Sequence, residues 1–97
     1  MDDNEAIVYY IISRSPIECS ILTTLARHPT PKSTLLGLDP AKRTNILYHL
    51  NKLQEWHMIE PVESGGDVFR LTQPFSDPVQ RILQRFSPIL ADKTTGT

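Results

Sequence analysis

The sequence predicts a mainly α-helical domain with a small β-hairpin, an α+β fold with further helices at both ends of the chain. Two observations predict this class. Between Pro16 and Trp56 the apolar residues recur at the three- and four-residue spacing of helix faces, interrupted by cap-and-proline signals. Beyond Ile59 the period changes to two, and the alternating segments flank a pair of glycines.

The composition indicates one folded domain. The chain has 97 residues with an ordinary apolar fraction of 39%, which argues against wholesale disorder. No apolar run approaches the roughly 20 residues that a membrane span needs. The acidic start, MDDNEA, lacks the basic beginning of a signal peptide, and the single cysteine, Cys19, excludes an intramolecular disulfide. We therefore expect a cytoplasmic protein.

The charge of the chain is unevenly distributed. The net charge is −1, with four acids and one base in residues 1–18 and six bases and five acids in residues 19–72. Nucleic-acid-binding domains usually carry a basic excess. Any basic surface of this chain must therefore be local.

The first apolar segment, Asn4 to Ser13, allows two structures. Its β-branched and aromatic residues favour a strand. Its acidic start, and the break at Ser15-Pro16, allow a short helix instead. For the whole fold we take residues 1–15 as a helical flanking segment that contributes to dimerisation.

Cap-and-proline signals start the next two helices. Ser15 caps a helix from Pro16 to Arg27, and Glu18 at the third helical position suits a capping box. Thr30-Pro31 repeats the signal and predicts a short second helix that ends at Gly37.

The stretch from Asp39 to Ile59 predicts a longer third helix. Asp39 can cap its first turn, and Pro40 occupies the position where a missing amide costs nothing. Its apolar face is formed by residues spaced four and three apart, Ile46, Leu50 and Leu53. The other faces carry polar, basic and aromatic side chains, Lys42, Arg43, Asn45, Tyr48, His49 and Lys52. Such a helix can lie in a DNA major groove, although the same pattern describes any surface helix.

A hairpin follows the third helix. Its loop is Glu63-Ser64-Gly65-Gly66-Asp67, whose glycine pair supplies the positive backbone angles of a hairpin loop. Val68 to Thr72 alternates and predicts the return strand.

The end of the chain predicts a helix and a tail. Asp77 caps a segment that runs to Leu90 with an apolar stripe, and Pro88 ends or kinks it. We assign residues 73–91 to this helix and to dimerisation. Residues 92–97 are small and polar, and we expect them to be disordered.

Residues 16–72 resemble the winged helix-turn-helix domain of small bacterial and archaeal repressors, nearest the arsenical-resistance-type and multiple-antibiotic-resistance-type families. The segments that carry the resemblance are Ser15-Pro16 with Ile21-Leu22, the run from Thr44 to Leu53, Glu55 with Met58-Ile59, and Phe69-Arg70-Leu71-Thr72. The resemblance implies a sequence-specific double-stranded DNA-binding regulator of transcription, of the repressor type. It also implies a homodimer that places paired recognition helices in successive major grooves.

Three features depart from the family pattern. His57 stands where relatives usually have a glycine after the recognition helix. Glu63 and Asp67 occupy the wing where relatives place arginine or lysine on phosphate. The cysteine-rich metal-sensing motif of the arsenical-type repressors is absent from the sequence.

The resemblance gives each candidate site residue a role. The residues expected in or near the groove are Lys42, Arg43, Thr44, Leu47, Tyr48 and Asn51. Lys32 and Ser33, at the start of the second helix, would hold phosphate, and Arg70 would do so from the wing. His49 is interpreted as a packed or solvated histidine rather than a base reader. The histidines fall at no useful ligand spacing and no nucleophile has a base and an orienting partner, so we expect no metal, no cofactor and no enzyme.

Two other functions remain open from the sequence. The near-neutral charge and the acidic wing favour a winged-helix module for protein–protein assembly. A basic stripe across the recognition helix would favour DNA binding, and an apolar face would favour assembly. A third possibility is a ligand-sensing repressor, for which so short a chain has room only at a dimer interface.

Overall fold

The computed structural model describes residues 2–95, with side chains described through residue 85. Within that range the elements, in chain order, are α1 (Asp3–Arg14), α2 (Pro16–Arg27), β1 (Thr30–Pro31), α3 (Lys32–Leu36), a 3-10 turn (Pro40–Lys42), α4 (Arg43–Glu55), β2 (Ile59–Pro61), β3 (Val68–Leu71) and α5 (Gln73–Thr95). The predicted α+β class, mainly helical with a small antiparallel sheet, is confirmed.

The first segment is the helix α1, so the strand favoured by its residue types is wrong and the alternative of a short helix is correct. The Asp2 carboxylate caps α1 by accepting a hydrogen bond from the Glu5 amide at 2.8 Å. Val8 and Ile11 then bury one face of α1 in the core. A cap and the burial of one face together outweigh a modest β propensity.

The sheet has three strands where the sequence predicts only a hairpin. β3 lies in the middle, with Thr30 of β1 opposite Phe69 and Glu60 of β2 opposite Arg70. Thr30-Pro31, predicted as a helix start, forms β1 because Pro31 has an extended backbone (ψ 146°) and α3 begins only at the next residue. The Thr30 side chain is fully buried and donates a hydrogen bond to the His28 carbonyl at 3.0 Å.

The last helix begins at Gln73 rather than at Asp77, so Pro78 lies inside it. Because Pro78 has no amide hydrogen, the Pro74 carbonyl loses its partner within the helix. The Asn4 side chain of α1 replaces that partner by donating to the Pro74 oxygen at 3.1 Å. α5 continues past Pro88 to Thr95, into the tail of residues 92–97 for which we expected disorder, and residues 96 and 97 lie outside the described range.

The end of α4 determines the direction in which the chain enters β2. His57 has a left-handed backbone (φ 59°), as expected for the position that glycine usually occupies. The His57 and Met58 amides donate to the Gln54 and Leu53 carbonyls, both at 3.0 Å, which is the hydrogen-bond pattern of a Schellman cap. The Thr72 hydroxyl donates to the His57 carbonyl at 2.7 Å, so the start of α5 holds the end of α4.

One apolar core joins the helices to the sheet. Its fully buried members come from every layer and include Val8, Ile21, Leu22, Leu35, Leu53, Met58, Ile59, Val79 and Ile82. At the edge of this core, α1 and α5 are joined by ion pairs. The Arg81 guanidinium donates to the nearly buried Glu5 carboxylate at 2.6 Å, which raises the pKa of Arg81, and Arg85 lies 3.5 Å from the same carboxylate. The terminal helices therefore pack on each other within one chain, and the outer face of α1 is left to solvent.

Candidate nucleic-acid interface

The α4 helix starts later than the sequence predicts. Asp39 caps the 3-10 turn, where its carboxylate accepts from the Ala41 amide at 3.2 Å, and its carbonyl accepts from the Lys42 amide at 2.9 Å. Lys42 leaves the helical region (φ −119°, ψ 26°), and α4 begins at Arg43. Lys42 and Arg43 are both exposed at this end of α4, and the first turn of α4 contains no acid.

The outer face of α4 consists of the side chains opposite its buried stripe. Ile46, Leu50 and Leu53 are buried in the core. The 100° advance per residue places Thr44, Tyr48 and Asn51 on the opposite side, and all three are exposed. Tyr48 is 64% exposed, a large fraction for an aromatic residue on a polar face. Leu47 is half-buried at the edge of this surface.

His49 points the other way. Its Nδ1 atom lies 2.7 Å from a carboxylate oxygen of Glu18 on α2, and its ring meets the Tyr48 ring edge-on with centroids 5.3 Å apart. His49 is therefore packed and paired, as we interpreted it. No local pattern indicates this partner, because Glu18 is predicted to belong to the capping box of α2.

The Ser15 cap explains why Glu18 is available for this pairing. The Ser15 hydroxyl accepts from the Glu18 amide at 3.2 Å, which is one half of the capping box. The reciprocal bond does not form because the Ser15 amide already donates to the Ile11 carbonyl at 2.9 Å. The carboxylate of Glu18 is consequently directed to His49.

Lys52 adds a positive charge beside this face. Its ammonium lies over the Trp56 ring, 4.9 Å from the centroid. Trp56 is 47% exposed at the end of α4, where its ring packs against the Lys52 ammonium.

Lys32 and Ser33 form the start of α3, beside the hairpin loop. The Lys32 amide donates to the Asp67 carbonyl at 2.8 Å and so ties this end of α3 to the loop. The Lys32 side chain is half-buried and Ser33 is exposed. Both predicted phosphate-binding residues therefore lie near the acidic loop.

Arg70, predicted to reach phosphate, has a closer partner. Its Nε atom donates to the Glu60 carboxylate across the β2–β3 pair at 2.9 Å. Both side chains are partly exposed, at 49% and 41%, so the pair is weak and open to competition.

The hairpin loop is acidic and exposed. Gly65 has the positive φ of 76°, and the Gly66 amide donates to the Glu63 carbonyl at 2.8 Å, so one glycine of the predicted pair adopts the left-handed conformation. Glu63 and Asp67 are both exposed. Their negative charges are opposite in sign to those of Lys42 and Arg43 at the start of α4.

Two cavities lie near the two ends of α4. One of about 170 Å³ lies between the start of α2 and the start of α4, where Lys42 is among its lining residues. A second, of about 310 Å³, is lined by Ile7, Trp56, Met58 and Phe75. Ligand pockets usually have 300–1,000 Å³, so the cavity at the start of α4 is below that range and the second cavity is at its lower limit.

Among the described residues no cluster of three or more histidine, cysteine or acidic side chains could hold a metal ion. No helix in the same part of the chain is both long and apolar enough to cross a membrane. No protein-family model matches the chain, and no curated protein is significantly similar to it.

Proposed function

We propose that residues 16–72 form a winged helix-turn-helix and that the outer face of α4 binds duplex DNA in the major groove. One observation carries this proposal. Thr44, Tyr48 and Asn51 are exposed on the outer face of α4, and Arg43 is exposed at its first residue, while the opposite side of the helix is buried in the core. The order of α2, α3, α4 and the β2–β3 hairpin, which would be the wing, supports the same fold.

The side chains on this face suit the edges of base pairs. Arginine can donate two hydrogen bonds to guanine, and asparagine can bond both edge atoms of adenine. We assign these roles to Arg43 and Asn51, with Lys42, Thr44, Leu47 and Tyr48 beside them. Lys32 and Ser33 hold phosphate at the start of α3. Arg70 would bind phosphate only when its ion pair with Glu60 is broken. The protein would act as a transcriptional regulator of the repressor type.

A homodimer follows from the outer ridge of α1, which we define as Asp3, Ile7, Tyr10 and Arg14. These residues are spaced by four, three and four and therefore form one line along the helix. All four are exposed, with Ile7 at 40% and Tyr10 at 55%. The Arg14 guanidinium stacks on the Tyr10 ring, 4.8 Å from its centroid, and so lies along the ridge.

The outer ridge of α1 is complementary to a second copy of itself. When two ridges run antiparallel about a two-fold axis, Asp3 lies opposite the partner's Arg14, and Ile7 lies opposite the partner's Tyr10. Each copy then supplies both an acidic end and a basic end, so opposite charges meet at both ends of the contact. Such a dimer presents two α4 helices to half-sites that are related by the same axis.

The DNA proposal is tested by comparing two substitutions. Arg43→Ala should cost about 1–3 kcal/mol and relax the preference at one base position, whereas Lys32→Ala should weaken all sequences alike and reduce the salt slope by about one unit. Arg27→Ala is the matched control. Arg27 is an exposed arginine at the C-terminal end of α2, where the neighbouring Ala26 contacts α5 and not the outer face of α4. Identical behaviour of Arg43→Ala and Lys32→Ala would contradict this assignment of the interface.

The acidic loop favours a second candidate function, a winged-helix module for protein–protein assembly. Two exposed carboxylates near phosphates would repel them. Under the DNA proposal, Glu63→Lys with Asp67→Lys should therefore tighten DNA binding, more at low salt than at high salt. Under the assembly proposal the same double substitution should weaken a protein complex and create no specific DNA binding.

A further inference from the structure

The contact between Glu18 and His49 is an unusual feature of this small domain. The Glu18 side chain is only 3% exposed and that of His49 is 22% exposed, and the two atoms that meet are 2.7 Å apart. The second carboxylate oxygen of Glu18, Oε1, is buried and has no hydrogen-bond partner. The contact with His49 is therefore the interaction that compensates for the burial of the Glu18 carboxylate.

The charge of His49 decides how well this contact is satisfied. A protonated imidazole gives the carboxylate both a charge-assisted hydrogen bond and a compensating positive charge. A neutral imidazole can donate from Nδ1 but leaves the buried negative charge uncompensated, which is costly in a largely desolvated position. Histidine is the side chain that normally changes charge between pH 5 and 8.

The other charged groups near α4 have different positions or partners. On α4 itself Arg43 and Glu55 are exposed at the first and last residues, and the Lys52 ammonium lies over Trp56, one turn beyond His49. The elements that pack on α4 contribute further titratable groups. The 3-10 turn carries Lys42, α3 carries Lys32, and β2 carries Glu60, which pairs with Arg70. In addition to Glu18, α2 carries Cys19 and Arg27. Of these, Glu18 is the group whose contact with His49 crosses from α2 to α4.

This contact lies directly behind the candidate DNA surface. His49 follows Tyr48, whose ring it touches edge-on, and precedes Asn51 by two residues. A weaker contact between His49 and α2 therefore increases the mobility of α4 at Tyr48 and Asn51. α2 and α4 also share apolar contacts, so loss of the charge pair loosens the helix without unfolding it.

We propose that Glu18 and His49 are positioning residues for the outer face of α4, and that specific DNA binding weakens as pH rises through the range in which histidine loses its proton. This inference rests on the proposed DNA-binding function. It assigns the pH response to a contact on the side of α4 that faces the core, not to a histidine on the DNA.

The test is the affinity for a selected duplex at fixed salt between pH 6 and pH 8. The wild type should bind about tenfold more weakly at pH 8, the size expected when the hydrogen bond between His49 and Glu18 loses the charge on its donor. His49→Gln and Glu18→Gln should both bind with little dependence on pH. His28→Gln is the matched control, because His28 is exposed and contacts the Pro29 carbonyl, and it should behave as the wild type.

Glu18→Gln separates positioning from direct attraction. If protonated His49 simply attracted phosphate, the Glu18→Gln protein would keep the full pH dependence, and that result would overturn the inference. A wild-type affinity that does not change between pH 6 and pH 8 would overturn it as well.

The thermal unfolding midpoint distinguishes failure of this inference from failure of the DNA proposal. The wild type should lose more stability between pH 6 and pH 8 than either His49→Gln or Glu18→Gln does, whether or not DNA binds. If that difference appears but no duplex binds at either pH, the DNA proposal fails while the charge-dependent contact stands. If wild type and both variants lose stability in parallel, the contact is insensitive to charge and the inference is wrong.

Discussion

Reversing one charge on the outer ridge of α1 should dissociate the proposed dimer, and reversing both should restore it. Arg14→Asp places like charges opposite each other at both ends of the antiparallel contact, because the two-fold axis repeats every pair. Asp3→Arg does the same with the opposite sign. The double variant, Asp3→Arg with Arg14→Asp, again places opposite charges together.

The size of the effect follows from the exposure of both residues. An exposed ion pair contributes about 0.2–1 kcal/mol, and a like-charge pair costs a similar amount. Two pairs that change from attraction to repulsion therefore give about 2 kcal/mol, or roughly 30-fold in the dimer dissociation constant. The double variant should recover most of this loss.

Sedimentation equilibrium at micromolar concentration measures the dissociation constant of each variant. Both reversed charges oppose the dipole of α1, and Arg14→Asp also removes the contact with Tyr10. The double variant keeps all of these costs, so its recovery cannot come from a more stable helix. If the double variant dissociates as readily as Arg14→Asp, or if the wild type stays monomeric on concentration, the antiparallel α1 contact is refuted.

Three further predictions concern stability and the β2–β3 hairpin. His57→Gly should raise the free energy of unfolding by about 1 kcal/mol, because it relieves the left-handed backbone (φ 59°); urea denaturation measures this, and a loss of stability would contradict it. Asn4→Ala should destabilise the wild type by about 1 kcal/mol but cost less in a Pro78→Ala background, whose new amide can pair with the Pro74 carbonyl; additive effects in the double-mutant cycle would argue against this. Glu60→Gln should free Arg70 from its 2.9 Å partner and both tighten DNA binding and steepen its salt dependence; an unchanged salt slope would place Arg70 away from phosphate.

The helices were predictable from the sequence where a cap and an apolar face agreed. Ser15 before Pro16 gave the start of α2, and the buried stripe of Ile46, Leu50 and Leu53 gave the inner face of α4. The same stripe determines which side chains of α4 are outside, so the exposure of Thr44, Tyr48 and Asn51 follows from it.

The features that were missed depend on partners distant in the chain. Thr30-Pro31 became a strand because β3, almost forty residues later, pairs with it. Pro78 could lie inside α5 because Asn4, near the other end of the chain, satisfies the carbonyl that it leaves unpaired. The Glu18 carboxylate contacts His49 and not the Ser15 amide, because that amide already donates to the Ile11 carbonyl of α1. Local patterns cannot reveal such pairings.

The most direct test of the central claim, that the outer face of α4 binds specific DNA, is selection from a random duplex library with the purified protein at low salt. We expect enrichment of a two-fold symmetric sequence whose half-sites are centred about 10 base pairs or a multiple of that apart. With Asn51→Ala the enrichment should persist but lose its preference at one position in each half-site. If the wild type enriches no sequence, α4 is not a DNA-reading helix, and the assembly module becomes the better proposal.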